Sequence, residues 1–274
     1  MRVLILAIDA LEYDLVEELN LRHIKQVEYG KVIEPTTKLL TPILWGAFIT
    51  GTVEHGVEAF TVKNPLVKAS KNFLEILGID PYGTPIWLFY RALTKVGMSS
   101  RRVDKRDLQA KTIFGHAENP VAISIPAYNE WESIHKLRLK YPLARFVGKR
   151  HEKKASECIE ANWKIFRRKL NYTSEMLGKD DWDLLMVHFL ILDNIGHLYS
   201  YKPGKLKNAY RFMNSAVGEL LSKVKDQWVL IVSDHGMKKG LHTNYAFYSS
   251  NIPLRLDNPE LTDFHDLILE KMKS

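Results

Sequence analysis

Residues 229–244 read VLIVSDHGMKKGLHTN. Val229, Leu230, Ile231 and Val232 make a short apolar, β-branched run that Ser233, Asp234, His235 and Gly236 close. Such a run, bounded by polar residues and glycine, predicts a buried strand. Open α/β sheets take their ligands beyond the carboxyl ends of their strands. Asp234, His235 and, past Gly240, His242 therefore stand where a ligand is expected. One carboxylate and two imidazoles are metal-binding chemistry, and the rest of the chain can be searched for the missing ligands.

The same pattern of a strand running into an acid recurs twice. Residues 3–8, VLILAI, end at Asp9, and Leu11, Leu15, Val16 and Leu19 then follow at helical spacing, a βα unit with a carboxylate at its turn. Residues 182–192, WDLLMVHFLIL, predict another buried strand, with Asp193 at its end and His197 four residues on. That spacing puts the two on one face if the turn is helical. Gly196 is expected to let the backbone bend closely around an ion. His188, inside the strand, reads as a core histidine. Thr41 and Pro42 predict the N-cap and first position of a helix that runs to Thr50 and stops at Gly51. The backbone amides of Ile43 and Leu44, with the helix dipole, are then expected to favour an anion beside Thr41. On local grounds alone, Thr41 serves equally well as a plain cap.

Elsewhere the patterns predict a strand at 30–33, a glycine-containing loop at His55-Gly56 and a helix at 85–96 ended by Gly97. A strand at 121–125, an amphipathic segment at 131–141 and a long charged helix at 152–177 follow. A helix at 206–224, a strand at 245–249 and a closing helix at 260–273 complete the chain. Strands alternating with helices predict an α/β fold, a three-layer αβα sandwich with a mostly parallel central sheet. We expect one domain over 1–274, with 98–175 inserted as a cap-like cover.

The 274 residues are 46% apolar, enough for a sizeable core. The single cysteine, Cys158, excludes an intrachain disulfide and a cysteine-based zinc site. No run approaches the roughly 18–20 apolar residues of a membrane span. The short run at 3–8, stopped by Asp9, reads as a core strand rather than a signal peptide, so a cytoplasmic protein without membrane partners is expected. The formal net charge of +7 favours anionic ligands. Its basic clusters, such as Arg101-Arg102 and Arg167-Arg168-Lys169, are dispersed among acids. No nucleic-acid module is recognisable, so a solvated face is the preferred reading and nucleic acid stays open as a partner.

Asp9, Asp193, Asp234, His197, His235, His242 and Thr41 together exceed the needs of one metal with an open position. They suit two dications about 4 Å apart, which clamp the attacking and leaving oxygens of a phosphoryl group. A threonine hydroxyl beside such ions is a nucleophile. The ordered set resembles the alkaline phosphatase superfamily, most closely its type I phosphodiesterase/nucleotide pyrophosphatase branch. The resemblance rests on Ile8-Asp9, Thr41-Pro42, Ile49-Thr50-Gly51, His55-Gly56, Pro85-Ile86-Trp87, Asp193 with Gly196-His197, residues 233–237 (SDHGM) and His242. It implies that Asp9, Thr41, Asp234 and His235 hold one divalent metal ion and that Asp193, His197 and His242 hold the other. Zn2+ is the first expectation, with Mn2+ or Mg2+ as alternatives. It further implies that Thr41 attacks phosphorus, that water releases the phospho-enzyme, and that the substrate is a small anionic phosphate ester such as a nucleotide. Two features depart from the pattern. Leu44 stands where members acting on nucleotide diesters often carry an asparagine that binds a phosphoryl oxygen. The stretch between His235 and His242 is short. His242-Thr243 is also similar to the phosphoglycerate mutase and phosphopentomutase branch, whose large inserted domain this chain lacks. The competing readings are a phosphomonoesterase on the same site, a phosphomutase, a sulfatase (which Thr41 argues against) and a phosphate- or nucleic-acid-binding protein without activity.

Overall fold

In the computed structural model, residues 1–36, 39–53, 60–62, 100–140 and 152–274 are described. The main sheet is built from β1 (Val3–Ile8), β2 (Glu28–Val32), β5 (Pro120–Ile123), β6 (Leu184–Phe189), β7 (Trp228–Val232) and β10 (Ala246–Ser250), in the order β2-β10-β7-β1-β6-β5. β1 pairs in parallel with both β6 and β7, and β5 pairs in parallel with β6. β10 runs antiparallel to both of its neighbours. Two small antiparallel pairs stand apart from the main sheet, β3 (Phe60–Val62) with β4 (Ser100–Arg102), and β8 (Gly236–Lys238) with β9 (Leu241–Thr243). The predicted αβα sandwich with a mostly parallel sheet is the observed fold.

Two helical layers cover the sheet because alternate strand residues face opposite ways. Leu4, Leu6 and Ile8, with Leu185, Val187, Phe189, Val229 and Ile231, share one core. That core also holds residues of α5 (Glu152–Leu177), α6 (Ile191–Leu198) and α7 (Pro203–Leu221). Val3, Ile5 and Ala7, with Leu184, Met186, Leu230 and Val232, face the other core. There they meet α2 (Thr41–Thr50), α3 (Ile113–His116) and α8 (Asp263–Lys273). All six residues of β1 and all six of β6 are buried, as expected of strands covered on both faces.

Register delivers the site. Ala7 lies opposite His188 on one side and Val232 on the other, so the carboxyl ends of three central strands are level. Asp9 leaves the middle strand, Asp234 leaves β7, and the turn after β6 leads within two residues into α6, which carries Asp193 and His197.

Several expectations are corrected. The strand predicted over 182–192 is limited to Leu184–Phe189, because α6 already begins at Ile191. Within the described part of 98–175, β5 is an edge strand of the sheet itself and α5 belongs to a helical layer. The His55-Gly56 loop and the 85–96 helix lie outside the described residues. Among the described residues, no helix is long and apolar enough to cross a membrane.

Candidate metal centre

Two groups of side chains meet at the carboxyl edge of the sheet. In the first, His235 Nε2 lies 3.1 Å from Asp9 Oδ1 and 3.5 Å from Asp234 Oδ2, all three residues fully buried. Thr41 Oγ1 lies 3.5 Å from Asp9 Oδ2, at the start of α2. In the second, Asp193 Oδ1 is 2.9 Å from His197 Nε2 and 3.2 Å from His242 Nε2, and the two imidazole nitrogens are 3.0 Å apart. The i,i+4 pair is on a helix, as its spacing requires. The groups adjoin, since the rings of His235 and His242 stack at 3.7 Å and Asp193, His235 and His242 can share one ion.

The histidine tautomers follow from their outer contacts. His197 Nδ1 faces the Gly240 carbonyl at 2.9 Å, His242 Nδ1 the Leu39 carbonyl at 2.8 Å and His235 Nδ1 the Gly236 carbonyl at 3.0 Å. A carbonyl only accepts, so each Nδ1 carries a proton, and the neutral imidazoles of His197 and His242 turn an Nε2 lone pair inward. At 3.0 Å, the lone pairs of His197 and His242 oppose each other beside a carboxylate. That arrangement repels unless a cation or an extra proton lies between them. In the first group, Asp9 Oδ1, both Asp234 oxygens and His235 Nε2 are buried without a hydrogen-bond partner among the described residues. Unpartnered buried charges are costly. A mixed set of carboxylate oxygens and imidazole nitrogens fits zinc or manganese at both positions.

The electrostatics describe the same unmet charge. Burial, and next Asp9, push the Asp234 carboxyl well above the usual range. Burial would lower His235, but Asp234 and Asp9 raise it to about 10. Burial and Asp193 act to raise Asp9, yet the imidazoles of His188 and His235 prevail and hold it low. Protons thus compensate this cluster where no cation does.

The predicted residues Asp9, Thr41, Asp234 and His235 come together, as do Asp193, His197 and His242. The amides of Ile43 and Leu44 do not serve as expected. Leu40, not Thr41, is the N-cap, so both amides donate to the Leu40 carbonyl, at 2.8 and 3.1 Å. Gly196 is also reassigned. It sits within α6, where a Cβ would meet Met237 Cγ at 2.5 Å, so it admits the Met237 side chain rather than a bent backbone.

Sequence reasoning missed several supporting residues. His188 is fully buried, as a core histidine should be, yet its Nε2 lies 3.4 Å from Asp9 Oδ2 and its ring meets Trp45 edge-on. It lies opposite Ala7, whose face of the strand Asp9 continues, a register that no local sequence signal gives. Ser233 Oγ accepts from the Leu11 amide and donates to the His235 carbonyl, tying the turns after β1 and β7 together. Asn162 of α5 holds α6 through Asn194 at 2.9 Å. Tyr210 of α7 donates to the Ala10 carbonyl and accepts from the Glu12 amide, bracing the turn where Ala10 adopts a φ of 62°. Tyr210→Phe should therefore lose about 1–3 kcal/mol in urea unfolding, because it strands a buried amide and a carbonyl. A loss within experimental scatter would show that the turn needs no brace.

A model of the family described as "Type I phosphodiesterase / nucleotide pyrophosphatase" matches residues 3–258. Murine ectonucleotide pyrophosphatase / phosphodiesterase 5 is similar in fold, with a TM-score of 0.51 and 13% identity, over 86% of this chain and 57% of that one. A mutant of the alkaline phosphatase PafA also has a TM-score of 0.51, with 13% identity over 85% of this chain and 62% of its own. GPI ethanolamine phosphate transferase 2 of Kluyveromyces lactis is 33% identical over 64 residues, which are 23% of this chain and 8% of the yeast protein. The chain thus spans less than two thirds of each of these relatives.

Proposed function

The chain belongs to the type I phosphodiesterase/nucleotide pyrophosphatase family, and we propose that it hydrolyses phosphodiester or pyrophosphate bonds with Thr41 as nucleophile beside two divalent cations. The observation that carries this reading is the inward-facing triangle of Asp193, His197 and His242 next to the buried, mutually contacting Asp9, Asp234 and His235. Asp9, Thr41, Asp234 and His235 would hold one ion, and Asp193, His197 and His242 the other, with Zn2+ preferred to Mn2+ or Mg2+. When bound, the pair supplies Lewis acidity and a clamp for phosphoryl oxygens.

The chain's own groups do the rest. Thr41 Oγ1 forms a bond to phosphorus as the ester or phosphate oxygen departs, and the hydroxyl proton ends on that oxygen. Water then breaks the Oγ–P bond and restores Thr41. The N-terminal end of α2, with its positive dipole end, lies beside the reacting phosphorus and stabilises charge on its oxygens. The outer contacts of His197, His235 and His242 to backbone carbonyls keep the donors aimed, so little reorganisation is needed at reaction. A small anionic phosphate ester, a nucleotide among them, is the substrate class.

Leu44 supports a second reading. It is fully buried in the core and offers no donor where diester-cleaving members often have asparagine. A phosphomonoesterase on the same groups is therefore the alternative. Initial rates on bis-p-nitrophenyl phosphate beside p-nitrophenyl phosphate, with added Zn2+ or Mn2+, separate the two. Metal-dependent cleavage faster on the diester is expected. A monoester preference would transfer the protein to the alternative, and inactivity on both with metal bound would remove the hydrolase reading for simple esters.

A further inference from the structure

We propose that Glu12 is a positioning residue: through Thr243 it locks the hairpin carrying His242 against the turn carrying Asp9, and so sets the separation of the two ligand groups. This rests on the two-cation reading above. Glu12 lies on the turn that leaves β1, three residues after Asp9, and is 1% exposed. Its Oε2 accepts a hydrogen bond from the hydroxyl of Thr243, the residue after His242. Between them passes Gly236, the residue after His235. A Cβ there would fall within the Glu12 carboxylate and the Thr243 hydroxyl, so the close approach requires glycine. One carboxylate thus touches the segments that deliver Asp9, His235 and His242, members of both groups.

Its backbone is held from two further sides. The Glu12 amide donates to Tyr210 Oη at 2.8 Å, and the next amide, of Tyr13, donates to the Tyr245 carbonyl at 2.8 Å. The turn cannot drift, so a hydrogen bond from Glu12 transmits its position to the hairpin. Burial works against the charge on Glu12, and the Thr243 hydroxyl, Lys238 and the Met237 backbone favour it. Its Oε1 is buried without a hydrogen-bond partner among the described residues, which costs folding free energy. An acceptor at this junction is explained by what it aligns, in the way that outer groups orient metal ligands elsewhere.

The test is a calorimetric Zn2+ titration of metal-stripped protein, with its melting temperature measured in the same metal-free state. Wild type, Thr243→Val, Thr243→Ser and Glu12→Gln are compared, with His197→Ala marking the second group. Wild type is expected to bind two Zn2+. Thr243→Val should weaken the site that His197→Ala removes by about 10–100-fold and leave the other site unchanged, with a lower metal-free melting temperature because it strands the buried Glu12 Oε2. Thr243→Ser should restore wild-type binding. Glu12→Gln, which keeps an acceptor without the charge, should fall between them and melt no lower than wild type. Two intact sites in Thr243→Val would overturn the coupling while the two-cation reading stands. Equal weakening of both sites would also overturn it, reducing Glu12 to a structural bond. Wild-type protein that binds no Zn2+ would instead overturn the reading beneath it.

Discussion

Thr41→Ala should abolish diester hydrolysis, by on the order of 10⁴–10⁶-fold, as expected when a covalent nucleophile is deleted, while both cations remain bound. The two halves of this result depend on different atoms. Turnover depends on Oγ1, which lies at the first position of α2, 3.5 Å from Asp9 Oδ2. Retention depends on Asp9, Asp234 and His235, which contact one another without Thr41. Thr41 is largely buried, but its hydroxyl does not cap the helix, since Leu40 is the N-cap and shows no side-chain cap bond. Among the described residues the substitution therefore removes no structural hydrogen bond beyond the long contact to Asp9, and melting should change little. Initial rates on bis-p-nitrophenyl phosphate, with metal content by mass spectrometry on the same sample, check both halves. Normal turnover would remove Thr41 as nucleophile. Loss of metal along with turnover would make Thr41 mainly a ligand. Thr41→Ser, which keeps an oxygen, should retain a measurable rate.

How far the sequence reveals this site depends on how local each signal is. Asp9, Asp193 and Asp234 are legible because a buried apolar strand that stops at an acid marks a sheet edge, and three such edges in one chain converge. The pairing of Asp193 with His197 is legible from helical spacing alone. The long helix Glu152–Leu177 is read to its ends because charge and apolar stripe persist over its whole length. What is not legible is set by contacts between distant segments. His188 looks like core because it is core, and only its pairing opposite Ala7 brings it to Asp9. Glu12 looks like an ordinary turn acid until the hairpin folds Thr243 onto it. The cap at Leu40 is displaced by one residue from the expected Thr41, within the usual uncertainty of helix ends, yet that shift removes two amides from the anion site. The strand at Pro120–Ile123 was visible as a strand, but its pairing with β6 is a matter of topology.

Asp234→Asn and His197→Ala are the next largest expected effects, and they separate metal binding from folding. Both Asp234 oxygens are buried without a hydrogen-bond partner among the described residues, and burial and Asp9 oppose the charge on this carboxyl. Replacing it with a neutral amide relieves that repulsion, so metal-free Asp234→Asn should melt no lower than wild type. The same change removes a ligand, so the stabilisation by added Zn2+ should shrink. At a free concentration 100 times the dissociation constant, a site contributes about 2.7 kcal/mol. If affinity falls about 100-fold, the same concentration contributes roughly 0.4 kcal/mol. The difference corresponds to about 5–9 °C less Zn2+-induced shift for a chain of this size. His197→Ala should remove a different ion. It takes one nitrogen from the Asp193, His197 and His242 triangle and leaves Asp9, Asp234 and His235 in place, so one Zn2+ per chain should remain. It also frees the Gly240 carbonyl that His197 Nδ1 contacts, loosening the turn that leads into His242. Opposite signs for metal-free melting and Zn2+ response in Asp234→Asn, with a stoichiometry of one in each variant, are what two adjacent sites with separate ligand sets require. Unchanged stoichiometry in both would defeat the ligand assignment, and loss of both ions in either would mean that the two groups bind as a single cooperative unit.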